Sequence, residues 1–170
     1  MAAPAPTLST VGVPSSTVSL TGVTHTVAAG RAGLHFDPEN VVANIGDIVE
    51  WHFLPMNHSV AQSSFDAPCV PNANAAFSGF QPIMANVAPQ APNVFQVVVK
   101  DQLPFWYYCA QTKGSHCQMG MAGVINQNFN SPNTLTAYKA KAALTEVSVA
   151  PPIVGNGGKV IPNPQPLAGI

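Results

Sequence analysis

The sequence predicts an all-β Greek-key sandwich of about eight strands, followed by a C-terminal helix and a Pro-rich tail. Three observations carry that prediction. Short runs rich in β-branched and aromatic residues recur between Gly, Pro, Asn and Asp turns. Strands do not alternate with helical patterns in the βαβ manner. Finally, 170 residues at 46% hydrophobic content can bury one core with appendages rather than two.

Residues 1–21 read as an N-terminal arm. Met1-Ala2-Ala3-Pro4-Ala5-Pro6 has neither a charged n-region nor an apolar h-region, so it fits a native start or an initiator Met before a mature secreted sequence. The sandwich is expected over residues 22–127. Residues 22–30 are bounded by glycines and rich in β-branched types, and Gly33-Leu34-His35-Phe36-Asp37-Pro38 alternates apolar with polar, so both read as strands. Val41 to Ile45 leads into a Gly46-Asp47 turn, after which Ile48, Val49, Trp51 and Phe53 mark a strand ending at Pro55, with Trp51 facing the core. Residues 60–93 carry Pro68, Pro71, Pro82, Pro89 and Pro92, which suits a long irregular excursion over one end of the sandwich, pinned by Cys69. Strands resume at Val94 to Val99, Pro104 to Cys109 and Ala122 to Asn126. In residues 128–170, Ser131 is read as an N-cap and Pro132 as the first helical residue. Leu135, Tyr138 and Ala142 then share one face of a helix running to about Thr145. Beyond it, Pro151-Pro152, Gly155 to Gly158, Pro162, Pro164 and Pro166 read as an extended or disordered tail.

Composition narrows the function classes. Charged residues are 8% of the chain and the net charge is -1, which leaves no basic stripe for nucleic acid. No apolar run is long enough to span a bilayer. Asp37, Glu39, Asp47, Glu50 and Asp66 gather in one stretch, with Lys139, Lys141 and Lys159 near the C-terminus; solvated surface is the ordinary reading of such clusters. Three cysteines are odd in number. Were Cys69 and Cys117 to form a disulfide, Cys109 would remain a single thiol and the compartment would be oxidising. The alternative is three buried, inert thiols.

The chemistry concentrates in Phe105-Trp106-Tyr107-Tyr108-Cys109, followed by His116, Cys117 and Met121, with His58 far upstream. A thiolate, two imidazoles and a weak thioether are the ligand set of a blue-copper electron-transfer site. Cys109 ends an aromatic strand, where a neutral thiol is inert but a metal-bound thiolate is stabilised by the charge of the ion. His116 follows after six intervening residues and Met121 after four more, so one loop supplies three ligands of a single copper ion. Met119 competes for the axial position, and Met121 is preferred. His58 comes from a separate strand, at a pole of the sandwich. Zinc also accepts one thiolate and two imidazoles, but Met121 favours copper. No paired acid and base or second metal cluster is apparent, so a carrier is expected rather than an enzyme. His25, His35 and His52 fall in strand patterns and read as structural. Asn57-His58-Ser59 matches a glycosylation sequon, but a glycan there would collide with the metal pocket, so Asn57 is expected to be unmodified and Ser59 to tie the two ligand loops. Core packing accounts for at least two of Trp106, Tyr107 and Tyr108, any of which could otherwise relay electrons.

On these residues the chain resembles the cupredoxins, most closely secreted fungal cupredoxin-like proteins and more distantly plant phytocyanins. The match rests on Thr24-His25-Thr26-Val27, Leu34-His35-Phe36-Asp37-Pro38, Gly46-Asp47-Ile48-Val49-Glu50, Asn57-His58-Ser59-Val60, Ser63 through Cys69, and Phe105 through Met121, within residues 22–127. The resemblance implies an eight-stranded Greek-key sandwich and His58, Cys109, His116 and Met121 as copper ligands. It also implies a Cys69 to Cys117 disulfide clamping the long loop beside the metal. The chain departs from the phytocyanin pattern in having six residues, Ala110 to Ser115, between ligand cysteine and histidine where that pattern has four. It also carries Met121 where the plant proteins often place Gln, and it shows no lipid-anchor signal. The favoured function is a secreted, monomeric one-electron carrier serving a redox partner protein or small-molecule reductant. A copper-buffering module at the cell surface and a purely structural or adhesive module are the alternatives.

Overall fold

Strict alternation in one strand sets the layers. In Ile48-Val49-Glu50-Trp51-His52-Phe53, the side chains of Val49, Trp51 and Phe53 point one way and are completely buried, because successive side chains of a strand face opposite sides of its sheet. The computed structural model describes residues 17–170, so most of the predicted N-terminal arm lies outside the described residues. Within them the strands are β1 (Thr24–Ala29), β2 (Phe36–Asp37), β3 (Asn40–Val41), β4 (Ile48–Phe53), β5 (Ala61–Ser63), β6 (Asn93–Val98), β7 (Phe105–Tyr108), β8 (Ala122–Ile125) and β9 (Lys159–Pro162), with one helix, α1 (Leu135–Ala142). One sheet runs β2-β1-β4-β6-β9 and the other β3-β8-β7-β5. The β1–β4 and β3–β8 pairs are parallel and the remaining pairs antiparallel.

The predicted β-sandwich is thus present, and aromatic side chains fill the gap between its sheets. Trp51 meets Phe95 at 5.9 Å and the edge of Tyr107 at 5.1 Å, and Phe36 reaches Tyr107 at 4.9 Å. Each such buried side chain stabilises the fold by about 1.5–3 kcal/mol. Tyr107 pairs with Gly123 across the ladder. A Cβ on Gly123 would stand 2.4 Å from the Tyr107 hydroxyl, so only glycine lets that ring lie against its neighbouring strand.

Two strands escape the sequence pattern. β5 lies inside the stretch read as irregular, and β9 inside the stretch read as an extended or disordered tail. Neither has the β-branched alternation that marks a strand locally, and long-range pairing forms both. Ala61 to Ser63 pair with Tyr108 to Trp106, and Lys159 to Pro162 pair with Gln96 to Asn93 at a sheet edge that tolerates proline. The excursion around β5 is pinned as expected, by a Cys69–Cys117 disulfide.

The helix begins one turn later than predicted. Thr134, not Ser131, is its N-cap and accepts from the Ala137 amide at 3.1 Å. Ser131 Oγ instead accepts from Asn133 N, and the Leu135 amide donates to Gln127 Oε1, so local side-chain bonds hold residues 131–133 in a turn. The helix stops at Ala142, where the amides of Leu144 and Thr145 close three-residue turns on Lys141 and Ala142. Its buried face is the predicted one, Leu135, Tyr138 and Ala142. Tyr138 stacks on Trp106 at 5.4 Å, and its hydroxyl shares a 2.6 Å hydrogen bond with Ser63 Oγ. A Tyr138→Phe variant keeps the stack and loses the hydrogen bond. Ser63 retains its bond to the Ser64 carbonyl, so the expected loss is about 1 kcal/mol, read as a lower urea midpoint with an unchanged slope. No loss would show that the hydroxyl contributes nothing.

Candidate metal centre

Two loops at one pole bring the predicted residues together. The first leaves β4 at Phe53 and carries His58 before entering β5. The second begins at Cys109, directly after β7, and returns to β8 through Met121. Ser59 ties them: its amide points at Cys109 Sγ at 3.4 Å, and its hydroxyl accepts from the Ala110 amide at 2.9 Å. That is the bridging role expected from the sequence.

The six residues between Cys109 and His116 are absorbed by turns. Ser115 N donates to Thr112 O and His116 N to Gln111 O, with Gly114 and Ser115 at positive φ. His116 thereby folds back until its Nδ1 is 3.4 Å from Cys109 Sγ. Further turns close the loop: Gly120 N donates to Cys117 O, Met121 N to His116 O, and Cys109 N to Met121 O. The disulfide anchors the residue next to His116 to the excursion through Cys69.

His58, Cys109 and His116 form one buried group whose ligating atoms lie within 4.8 Å of one another. Among the described residues it is the only such cluster of His, Cys, Asp or Glu. His58 Nδ1 is buried with no hydrogen-bond partner, and Cys109 is a free, buried thiol. A buried unpartnered nitrogen is costly unless something supplies its missing partner. One sulfur and two imidazoles converging on a common point fit a soft or borderline transition metal. Met121 is fully buried in the same apolar cluster as Cys109, whereas Met119 is 68% exposed. The other histidines stand apart: His25 bonds Asp47 at 2.8 Å, and His52 bonds Glu50 at 2.6 Å. Gly30, which lies against the ring of His58, carries no signal legible in the sequence.

Burial sets the protonation of the metal-free site. It pushes the Cys109 thiol up, although hydrogen bonds involving Gln111 and Ser59 pull it back. It pushes His116 down. His58 falls from 6.5 to about 4, first through burial and then through the neighbouring His116 charge. At neutral pH the metal-free pocket is therefore a neutral thiol facing neutral imidazoles, and a bound cation would favour the thiolate. Because folding depresses His58, the unfolded chain binds the proton more readily between pH 6.5 and about 4. The stability of the metal-free protein is therefore expected to fall as pH drops through that window. Asp47, held down at about 2 chiefly by the Thr21 hydroxyl and then by His25, loses its charge only below it. Urea midpoints at pH 7, 5 and 4 should decline stepwise in wild type and less in His58→Gln; parallel curves would contradict the assignment.

No family model matches the chain. A protein of Arthroderma benhamiae described as a probable GPI-anchored cupredoxin is 35% identical over 147 residues, covering 84% of this chain and 73% of its own length. An extracellular serine-rich protein of the same fungus is also 35% identical over 147 residues, and the chain spans 55% of its length. Similar solved structures include a pseudoazurin from Hyphomicrobium denitrificans, with TM-score 0.43 and 16% identity, covering 73% of this chain and 99% of that one. Another is a plastocyanin from Dryopteris crassirhizoma, with TM-score 0.39 and 16% identity, covering 59% and 97%. The 35% identity to the first fungal protein, extending over most of both chains, joins the sandwich and its buried Cys-His-His pole in one conclusion: this chain belongs to the cupredoxin family.

Proposed function

We propose that the protein is a mononuclear blue-copper carrier of single electrons, secreted or held at the cell surface, with His58, Cys109, His116 and Met121 as ligands. The observation that carries this reading is the buried, mutually facing set of Cys109 Sγ and two imidazoles, one of them with an unpartnered nitrogen. Bound copper would supply a Cu(II)/Cu(I) couple at this pole. The chain's own part is to hold the donors still. Ser59 fixes the His58 loop to the Cys109 loop, the disulfide fixes His116, and burial removes the water that would otherwise reorganise around a changing charge. Met121, rather than the exposed Met119, would supply the thioether, and a thioether in the donor set favours copper over zinc.

His116 is the least buried of the four, at 8% exposure, and its edge is the natural port for electrons. The partner is a redox protein or small reductant, and the protein acts as a monomeric carrier rather than a catalyst. The location follows the descriptions of the two fungal relatives, and among the described residues no helix is long and apolar enough to cross a membrane. Voltammetry and self-exchange measurements on the copper-loaded protein test this: a reversible wave with rapid self-exchange is expected. Tight Cu(I) retention with slow exchange would favour copper buffering instead, and failure to take up copper would favour a structural module.

A further inference from the structure

We propose that Gly30 is a positioning residue for the metal centre, giving the His58 ring the room to lie where it faces Cys109 and His116. The proposal rests on the copper reading above and adds a residue to it. Gly30 follows β1, which runs parallel to β4 with Ala28 opposite His52 and Ala29 opposite Phe53. The Leu54 amide donates to the Ala29 carbonyl at 3.0 Å, so the chain beyond β1 lies alongside the loop that carries His58.

A Cβ added to Gly30 would stand 2.2 Å from His58 Nε2, 2.6 Å from Cδ2 and 3.0 Å from Cε1. Those distances put the added carbon over the face of the imidazole on its Nε2 side, so the ring can lie there only because position 30 has no side chain. The same ring carries the buried, unpartnered Nδ1 and belongs to the group it forms with Cys109 and His116. Any side chain at position 30 must therefore push the ring from its place in that group.

Gly30 also has φ +90°, so a substitution there is strained whatever it touches. Gly22 separates the two effects. It has φ +86°, and a Cβ there would meet no heavy atom within 4 Å. Gly30→Ala and Gly22→Ala should both lose thermal stability in the metal-free form. Gly30→Ala alone should show a changed thiolate absorption band and copper hyperfine splitting, with copper affinity lowered by about tenfold or more, the usual cost of losing a residue that orients a ligand. Gly22→Ala should keep the wild-type spectrum. A Gly30→Ala protein with the wild-type spectrum and an affinity within about twofold of wild type would overturn the proposal while leaving the copper reading intact. Wild type that takes up no copper would overturn both. Should Gly30→Ala fail to fold, the decisive observation is a proton cross-peak between the Gly30 Hα and the His58 ring Hδ2 or Hε1 in wild type loaded with Cu(I). Its absence would overturn the proposal.

Discussion

Replacing Cys109 with serine is expected to leave a folded protein that still binds copper but has no intense visible band and no reversible redox wave. The sulfur is the only thiol among the three cysteines left outside the disulfide, and it lies in a dry setting at the end of β7. The thiolate bonded to copper gives a blue site its colour, and a hydroxyl oxygen cannot reproduce the soft donor. The change is nearly isosteric, so the aromatic core beneath it, Trp51 and Tyr107, should remain packed. The check is an absorption and paramagnetic-resonance spectrum of the variant beside its circular dichroism. Retention of both the colour and the wave in a protein lacking this sulfur would remove Cys109 from the ligand set.

Breaking the disulfide should have the largest effect on stability. Cys69 and Cys117 are 48 residues apart. In the chain-entropy account, closing a loop of that length stabilises the fold by about 4 kcal/mol. Domains have only about 5–15 kcal/mol in total. A Cys69→Ser/Cys117→Ser double variant should therefore melt roughly 8–16 °C below wild type in the metal-free state. The same bond holds the neighbour of His116 and anchors the excursion, whose Gln81 amide bonds the His58 carbonyl, so the variant should also bind copper more weakly. Thermal unfolding followed by circular dichroism, with a copper titration, measures both. A melting temperature within about 2 °C of wild type would mean that the turns of the second loop hold His116 without help.

The strands that the sequence reveals are those whose own residues favour extended structure: Val49, Trp51 and Phe53 in β4, the valines of β6, and the aromatic run of β7. β5 and β9 were hidden because Ala61-Gln62-Ser63 and Lys159-Val160-Ile161-Pro162 become strands only through partners far along the chain. The start of the helix shifted because Ser131 and Gln127 spend their side chains on nearby amides, leaving Thr134 to cap. At the candidate metal centre, the grouping of Cys109 with His116 was legible because one short segment carries both, and that of His58 because of the residues around it. The six-residue spacing could not be interpreted from sequence, since its outcome depends on turns at Thr112 to His116 that shorten the path. Gly30 carries no chemistry of its own, and only its position against His58 reveals it.

The proposed blue-copper site joins His58, Cys109, His116 and Met121. Titrating the metal-free protein with Cu(II), recording visible absorption and paramagnetic resonance, and then adding ascorbate tests it most directly. An intense orange-red absorption band saturating at one equivalent, narrow copper hyperfine splitting, and reversible bleaching are the predicted result. A colourless protein with the Cys109 thiol intact would contradict the account.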